Sequence, residues 1–454
     1  MILHVDANSF YASCERIFRP DLFETPIAVL SNNDGIIVAL DQHCKNLGLK
    51  RGDPYFKVKD LCNRLGIQVF SSNYTLYADI SRRLNIIYSM YCQTLEIYSI
   101  DESFLFVPDA RNLDYTQLGT QIKQTVWQQV HIPVSVGIAP TKTLAKMCNK
   151  LAKKNGGIFD WTVLTEKQKE STLKQYPAKD IWGVGPAKAY TLLQHGIRTS
   201  WDLKKLPYAD AQKLITVNGL RTVLELNGSR AIDQIERQHH DNITQSRSFS
   251  GTVTKFEDLE KTLYDFTQEA VRRLREENSA CTVVGVMIMT AHNFCNSDGY
   301  KAPPADNRGV RKYPGCDYSN YGFLHLPEPS KNLVEIFNCA RKILAQIYRS
   351  GFSYKKVMIN LMGLQNAAGI QGELFQTKNV QQKLRDEKLM QAFDKINTKY
   401  GKTTLTLGQH THLLYKNSTQ HGTTDDPKNN PLNLACCHKS ANYTTCLEEL
   451  PEVI

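Results

Sequence analysis

The order of elements in the first 165 residues constrains this chain more than any other feature. Short apolar stretches at 2–5, 95–100, 103–107 and 133–139 read as strands, and those at 74–91 and 115–130 read as helices. In the first helix Leu76, Ile80, Leu84 and Ile87 recur at spacings that form one apolar face. With 20–74 set aside as an insertion, the order is β-α-β-β-α-β, the split-βαβ or ferredoxin-like plan. A further helix is expected at 141–154. The insertion carries two strands of its own, at 26–31 and 36–40, around the turn signal Asn32-Asn33-Asp34-Gly35.

That plan gives meaning to three acids. Asp6 ends the first strand, and Asp101 and Glu102 occupy the tip of the hairpin EIYSIDESFLF. On a split-βαβ sheet these strands are neighbours, so the three carboxylates can converge at one sheet edge. Converging carboxylates repel each other unless a hard divalent cation neutralises them, and Mg²⁺ favours a few carboxylates together with substrate phosphates. A pair of such ions can activate a hydroxyl and clamp leaving phosphate oxygens. Taken singly, each acid is an ordinary turn residue.

The rest of the chain divides by composition. Residues 166–230 are helical and polar with glycine stops, and 231–245 have no core pattern and read as a linker. A second α/β unit follows, with strands at 246–253, 281–290, 321–326 and 355–362 and helices at 259–277 and 331–349. Between them, 292–320 reads as an exposed basic loop. Residues 363–454 show little core, and 415–434 are polar enough to be disordered. A length of 454 residues fits three or four modules.

The net charge of +10 is compatible with a polyanionic partner without requiring one. No apolar run approaches the roughly 18 residues of a membrane span, and the start lacks a secretory pattern. The 12 cysteines are scattered, with no CxxC pair, which favours reduced thiols and a cytoplasmic protein.

Four phrases, VDANSFYASCE at 5–15, SSNYTLYADISRR at 71–83, YSIDESF at 98–104 and VGIAPTKTLAKMCNKLAKKNGG at 136–157, resemble the Y-family DNA polymerases in order and spacing. The phrases SNNDG at 31–35, FSSNY at 70–74 and WGVG at 182–185 narrow the resemblance to the bacterial SOS-mutagenesis branch of that family. The resemblance implies an α+β, multidomain right-hand polymerase: a ferredoxin-like palm (1–19 and 75–165), small fingers (20–74), a helical thumb with a helix-hairpin-helix (166–230), a linker (231–245), an α/β little finger (246–362) and a C-terminal tail (363–454). The implied activity is error-prone translesion DNA synthesis by two-metal catalysis, on primed DNA with dNTPs, in the SOS response.

The same resemblance assigns roles to residues. Asp6, Asp101 and Glu102 would be catalytic and, with the carbonyl of Ala7, would hold two Mg²⁺ ions. Backbone N–H groups at Phe10 and Tyr11 suit the triphosphate, and Tyr11 matches the ring that excludes a 2′-OH. Lys153 and Lys45 match phosphate-contacting cations. Ala39 and Gln42 stand where many members have Thr and Tyr, which is where the nucleotide pocket departs from the pattern. Gly183 and Gly185 would let backbone approach a DNA phosphate, followed by Lys188, with Arg272 and Arg273 gripping DNA further along. Gln371, Leu374 and Phe375 match a sliding-clamp peptide, an extended segment with two apolar anchors. The implied partners are the sliding clamp, a dimer of processed UmuD, and RecA.

Two other classes compete. A nucleotide cyclase on a ferredoxin-like sheet would need neither the helical segment nor the clamp peptide. A catalytically weak, clamp-tethered DNA-binding protein would have no use for all three acids.

Overall fold

The structure, a computed structural model, describes residues 1–110, 113–232, 241–290, 318–366, 380–400, 404–405, 437–441 and 443–446. The chain forms two compact units, Met1–Glu236 with Cys436–Ile454, and Arg237–Ala435.

The first unit opens with β1 (Ile2–Ala7), α1 (Phe10–Ile17), β2 (Ile27–Leu30), β3 (Ile37–Leu40), α2 (Gln42–Asn46), α3 (Tyr55–Arg64) and β4 (Gln68–Ser71). It continues with α4 (Tyr74–Ser89), β5 (Thr94–Ile97), β6 (Glu102–Phe106), α5 (Tyr115–Val130), β7 (Val134–Ala139), α6 (Lys142–Ala152) and β8 (Ile158–Asp160). Four helices follow: α7 (Glu166–Gln175), α8 (Pro186–Gln194), α9 (Ser200–Lys204) and α10 (Tyr208–Leu226).

Its main sheet has the order β5-β6-β1-β7-β8. β1 runs antiparallel to both neighbours, which is the ferredoxin-like arrangement with β8 added in parallel beside β7. All six residues of β1 are buried, because both faces of the sheet are covered. Strand alternation sends Leu3 and Val5 toward α1, α4 and α5, where they meet Leu84, Leu105, Ile122 and Val136. Ile2 turns the other way, into a cluster with Phe104, Leu144, Leu173 and Leu192 from α6 and the helices after it. Burial of each such aliphatic side chain stabilises the fold by about 1.5–3 kcal/mol.

The inserted segment forms its own sheet, β3-β2-β4, in which β2 pairs antiparallel with β3 and parallel with β4. Leu30, Ile37, Leu40, Cys44 and Cys62 make its core. The helical segment is fastened to α6 by Glu225. Its buried carboxylate accepts from Thr143 N (2.9 Å), and its carbonyl accepts from the Thr141 hydroxyl (2.9 Å).

The second unit contains β9 (Asn242–Val253), α11 (Phe256–Glu276), β10 (Ser279–Thr290), β11 (Ser319–Ser330), α12 (Leu333–Ile347), β12 (Tyr354–Met362), β13 (Gln365–Asn366) and α13 (Val380–Tyr400). Its sheet order is β11-β10-β12-β9, all antiparallel. α11 and α12 bury Leu259, Leu263, Ile336 and Ile343 in one core with Val284, Val286 and Ile359 of the sheet.

Several expectations shift. β9 begins at Asn242, inside the stretch read as a linker, because an edge strand needs backbone partners on β12 more than apolar side chains. The stretch 363–454 carries more core than its composition suggests. α13 is rich in charged and polar residues, yet Met390 and Phe393 fall on one narrow stripe and are buried in the second core. Arg275 on α11 holds Asp394 of α13 with two hydrogen bonds, at 2.6 and 2.5 Å. The expected loop at 292–320 lies outside the described residues except at its last three positions, and 415–434 lie outside them entirely. Among the described residues no helix is long and apolar enough to cross a membrane.

Candidate active site

Antiparallel register sets Asp6 opposite Glu102 at the end of β1 and β6. The chain tightens there, since Ala7 N donates to Asp101 O at 2.9 Å. The three acids therefore meet at one end of two adjacent inner strands, rather than along a lateral edge of the sheet.

Asp6 and His4 point to the face covered by α6. That helix lies close because Gly137 sits opposite His4 on β7. A Cβ there would come within 2.2 Å of Ala145 O and Asn149 N. Asn149 then donates its amide to His4 O (2.9 Å) and Ser135 O (2.7 Å), pinning the helix to both strands.

Each carboxylate has a partner. Lys153 Nζ is 2.6 Å from Asp6 Oδ1, and Lys146 Nζ is 2.6 Å from Glu102 Oε2. The Ser99 hydroxyl donates to Asp101 Oδ1 at 2.5 Å. Burial pushes the Asp6 carboxyl up to about 7, and the Lys153 ammonium opposes this while Glu102 adds to it. His4 is buried and held well below its usual range, first by burial and then by Lys146 and Lys153, so its ring is neutral.

Lys146 escaped the sequence reading. It lies 4.2 Å from the Tyr98 ring and 5.4 Å from that of Trp182, an aromatic seat for a cation. Trp182 Nε1 donates to Tyr98 OH at 3.2 Å, so the phrase WGVG also braces the acidic hairpin. No single-residue periodicity points to Lys146, because its partners come from two distant segments, the acidic hairpin (Tyr98 and Glu102) and the stretch at Trp182.

Among the described residues no three His, Cys, Asp or Glu side chains form a ready metal cage. The donor set nonetheless fits a hard cation. It consists of carboxylate oxygens, and two ammonium groups supply the positive charge these carboxylates require.

The residues expected on the nucleotide side lie on neighbouring elements. Phe10 is buried in the core, so only its backbone N–H is a candidate contact. It opens α1 after Ser9, which is left-handed at φ 49° and makes no side-chain cap, so the first-turn amides are not closed by it. Tyr11 stacks on Tyr77 (centroids 4.4 Å, 14°) and meets the edge of Tyr74 (5.9 Å). Its phenol is pushed up by burial first, and the field of Arg51 opposes this, which places Arg51 among the cations near Tyr11. Ala39 lies on β3. Gln42 donates its amide to Asn46 Oδ1 (3.0 Å), and Lys45 is exposed on the same short helix. Asp41 caps that helix through Cys44 N (2.8 Å) and pairs with Arg16 of α1.

Among the expected nucleic-acid contacts, Gly183 is left-handed (φ +89°) and a Cβ there would meet Thr222 Oγ1 at 3.0 Å. Gly185 is open on that criterion. Lys188 Nζ turns back to Gly183 O (3.2 Å). Arg272 is engaged by Glu269 (2.7 Å) and Glu276 on its own helix, and Arg273 is half-buried beside it. Gln371, Leu374 and Phe375 lie outside the described residues.

Comparison with known proteins places this geometry in a class. The fold matches a Y-family DNA polymerase chimera of Dbh and Dpo4 with a TM-score of 0.62 at 18% identity, covering 80% of this chain and 98% of that one. An insertion ternary complex of Dbh DNA polymerase matches with a TM-score of 0.50, also at 18% identity, over the same shares. The fold is that of the Y-family DNA polymerases.

Residues 5–150 match the impB/mucB/samB family and 240–374 match that family's C-terminal domain. Residues 387–453 match a domain of unknown function. Protein UmuC of Salmonella typhimurium is 36% identical over 414 residues, covering 88% of this chain and 91% of UmuC. MucB of Escherichia coli is 33% identical, covering 87% and 90%. DNA polymerase IV of Oceanobacillus iheyensis is 27% identical, covering 89% and 91%. The chain belongs to the impB/mucB/samB family of Y-family polymerases.

Proposed function

We propose that this chain is a DNA-directed DNA polymerase that performs error-prone translesion synthesis in the SOS response to DNA damage. The observation that carries the reading is the convergence of Asp6, Asp101 and Glu102 at one end of β1 and β6, beside Tyr11 and Lys153. In the reaction the primer 3′-oxygen bonds to the α-phosphorus of a dNTP, the bond to the bridging oxygen breaks, and pyrophosphate leaves.

Asp6, Asp101, Glu102 and the Ala7 carbonyl would hold two Mg²⁺. Bound there, the ions would lower the charge on the attacking hydroxyl and on the leaving oxygens. Once Asp6 has a cation of its own, Lys153 is released to meet the triphosphate as a point charge. Backbone N–H groups of Phe10 and Tyr11 face the same phosphates. The Tyr11 ring, fixed by Tyr77, excludes a ribose 2′-OH. Ala39 offers no hydroxyl and Gln42 is taken up by Asn46, so phosphate charge in this region rests on Lys45 and Lys153.

In this reading residues 1–19 and 75–165 are the palm, 20–74 the fingers, 166–230 the thumb and 246–362 the little finger, joined by the linker 231–245. Gly183, Gly185 and Lys188 meet the duplex backbone, with Arg273 and, once its glutamate partners are displaced, Arg272. The tail 363–454 carries the clamp peptide at Gln371, Leu374 and Phe375. The enzyme works in the cytoplasm with the sliding clamp, a processed UmuD dimer and RecA.

Primer extension with Mg²⁺ tests the centre of this reading. Asp101→Ala is expected to lose activity by on the order of 10²–10³-fold, the scale set by removing one preorganised electrostatic group. Unchanged extension by that variant would mean the site is misassigned. Tight binding of primed DNA by the wild type, with no extension under any combination of partners, would favour the tethered DNA-binding protein instead. At the gate, Tyr11→Ala should raise ribonucleotide incorporation.

A further inference from the structure

Three phrases of the sequence have no part in the chemistry above: SNNDG at 31–35, SSN at 71–73 and SANYTTC at 440–446. In the fold they meet. Asp34, held left-handed at φ 51° in the β2–β3 turn, accepts from the Ser71 hydroxyl through Oδ1 (2.6 Å) and from Cys437 N through Oδ2 (2.7 Å). Ser71 N donates to His438 O (2.9 Å), and His438 N donates to Ser71 Oγ (3.0 Å). Lys439 bridges Ser71 in parallel, so the tail covers the outer edge of β4.

The next residues reach the elements that carry the gate. Asn73 donates its amide to Ser440 Oγ (3.0 Å) and Ala441 O (3.1 Å), while its Oδ1 caps α4 at Leu76 N (3.4 Å). Tyr443 is buried and stacks on Phe18 just past α1 (4.4 Å, 15°). Thr444 lies beside Asp79 of α4. The tail thus grips the start of α4 and the end of α1.

Those helices position Tyr11 from behind. Tyr77, fully buried on α4, stacks on Tyr11 and donates its hydroxyl to Glu15 Oε1 of α1 at 2.6 Å. Glu15 is fully buried. Burial pushes its carboxyl up, and the hydrogen bond from Tyr77 opposes that push. The tail therefore clamps the two helices that the Tyr77–Glu15 bond joins, at Asn73 before α4 and at Phe18 past α1.

We propose that residues 437–446 form a strap in cis, and that Ser440 and Tyr443 are positioning residues that set the Tyr11 ring and so the selection of the sugar. This assigns a role to the end of the domain of unknown function, and it rests on the reading of Tyr11 as the sugar gate. Removing the strap frees the Asn73 amide, exposes the end of β4 at Ser71 and releases α1 and α4 from a common clamp, so that Glu15 and Tyr77 are no longer held in register. Tyr77 then loses the fixed acceptor that orients its ring.

The test uses the full chain with Tyr443→Ala, Ser440→Ala and Tyr443→Phe, with Tyr11→Ala alongside. Tyr443→Ala and Ser440→Ala are expected to keep kcat near wild type, raise the KM for dNTPs, and reduce discrimination against ribonucleotides by about tenfold. Tyr443→Phe keeps the stack and should behave as wild type. Hydrogen exchange supplies a second readout, since the Ser71 amide should exchange faster in Tyr443→Ala and not in Tyr443→Phe. If Tyr11→Ala loses sugar discrimination while Tyr443→Ala and Ser440→Ala keep wild-type KM and discrimination, the strap has no positioning role. If Tyr11→Ala itself keeps discrimination, the gate reading fails and takes the strap's role in selection with it. An equal loss in Tyr443→Phe and Tyr443→Ala also overturns the proposal.

Discussion

Both units of the chain run strand, helix, strand, strand, helix, strand, yet their sheets are wired differently. In the first, the opening strand β1 lies inside, between β6 and β7; in the second, the opening strand β9 lies at the edge beside β12. The difference follows from side-chain character. β1 reads ILHVDA and is buried along its whole length, so it needs neighbours on both sides and cover on both faces. β9 reads NITQSRSFSGTV, polar enough for an edge, while the apolar SACTVVGVMIMT of β10 takes an interior place. Only the first wiring puts the end of the opening strand against the tip of a hairpin from the next strand. Acids gather there.

The two units also handle buried charge differently. The first pairs it: Lys142 and Glu96, both almost wholly buried, lie 2.7 Å apart with the ammonium near the Phe104 and Phe106 rings. Lys142→Met should be the most damaging change on this side of the comparison. It strands Glu96 and is expected to cost about 3–5 kcal/mol in a chemical-unfolding measurement, whereas Lys142→Met with Glu96→Leu should recover most of it. An unaltered single variant would show that the pair is not desolvated.

Glycines in the two sheets make the next contrast. Gly137→Ala drives a Cβ into the backbone of α6, at 2.2 Å from Ala145 O and Asn149 N. It should destabilise the first unit by about 3 kcal/mol and lower polymerase activity through the displaced Lys146 and Lys153. At Gly285 the nearest obstacle is the far end of a side chain, Tyr321 OH at 2.2 Å, which can swing aside. Gly285→Ala should therefore cost the second unit only about 1 kcal/mol. Equal losses would mean that close approach of backbone is not what distinguishes the two sheets.

A milder effect of opposite sign is expected at Asp265 on α11, where burial raises the carboxyl to about 6. An acid raised above its unfolded value of about 3.9 is favoured protonated in the fold, so stability falls as pH rises from about 4 to 6 and stays reduced above that. Asp265→Asn should stabilise the second unit by about 1 kcal/mol at pH 7, with the gain vanishing near pH 4 in melts recorded at both values. A gain independent of pH would assign the effect to packing instead.

Much of this was legible in the residues. The periodicity at 74–91 and the strands at 2–5 and 103–107 correspond to α4, β1 and β6 within a few positions. Asp6, Asp101 and Glu102 could be placed near one another because strand order in a split-βαβ unit brings the first strand beside the hairpin. Lys146 was not legible, since its role depends on the hairpin with Tyr98 and Glu102 and the distant Trp182 arriving at one place. α13 was hidden because Met390 and Phe393 supply a stripe too narrow to stand out among its charges.

The sequence by itself determined the α+β class, the positions of the acids along the strands and the kinship with a polymerase family, because these depend on local pattern and on motifs read in order. Only the tertiary structure decided which strand lies inside each sheet, which ammonium groups neutralise the acids, and where the last described residues of the chain dock. Those outcomes turn on which faces are buried and on pairs of residues hundreds of positions apart, such as Asp34 with Cys437 and Asn73 with Ser440. Burial and long-range pairing are properties of the packed chain, and no window along the sequence contains both partners.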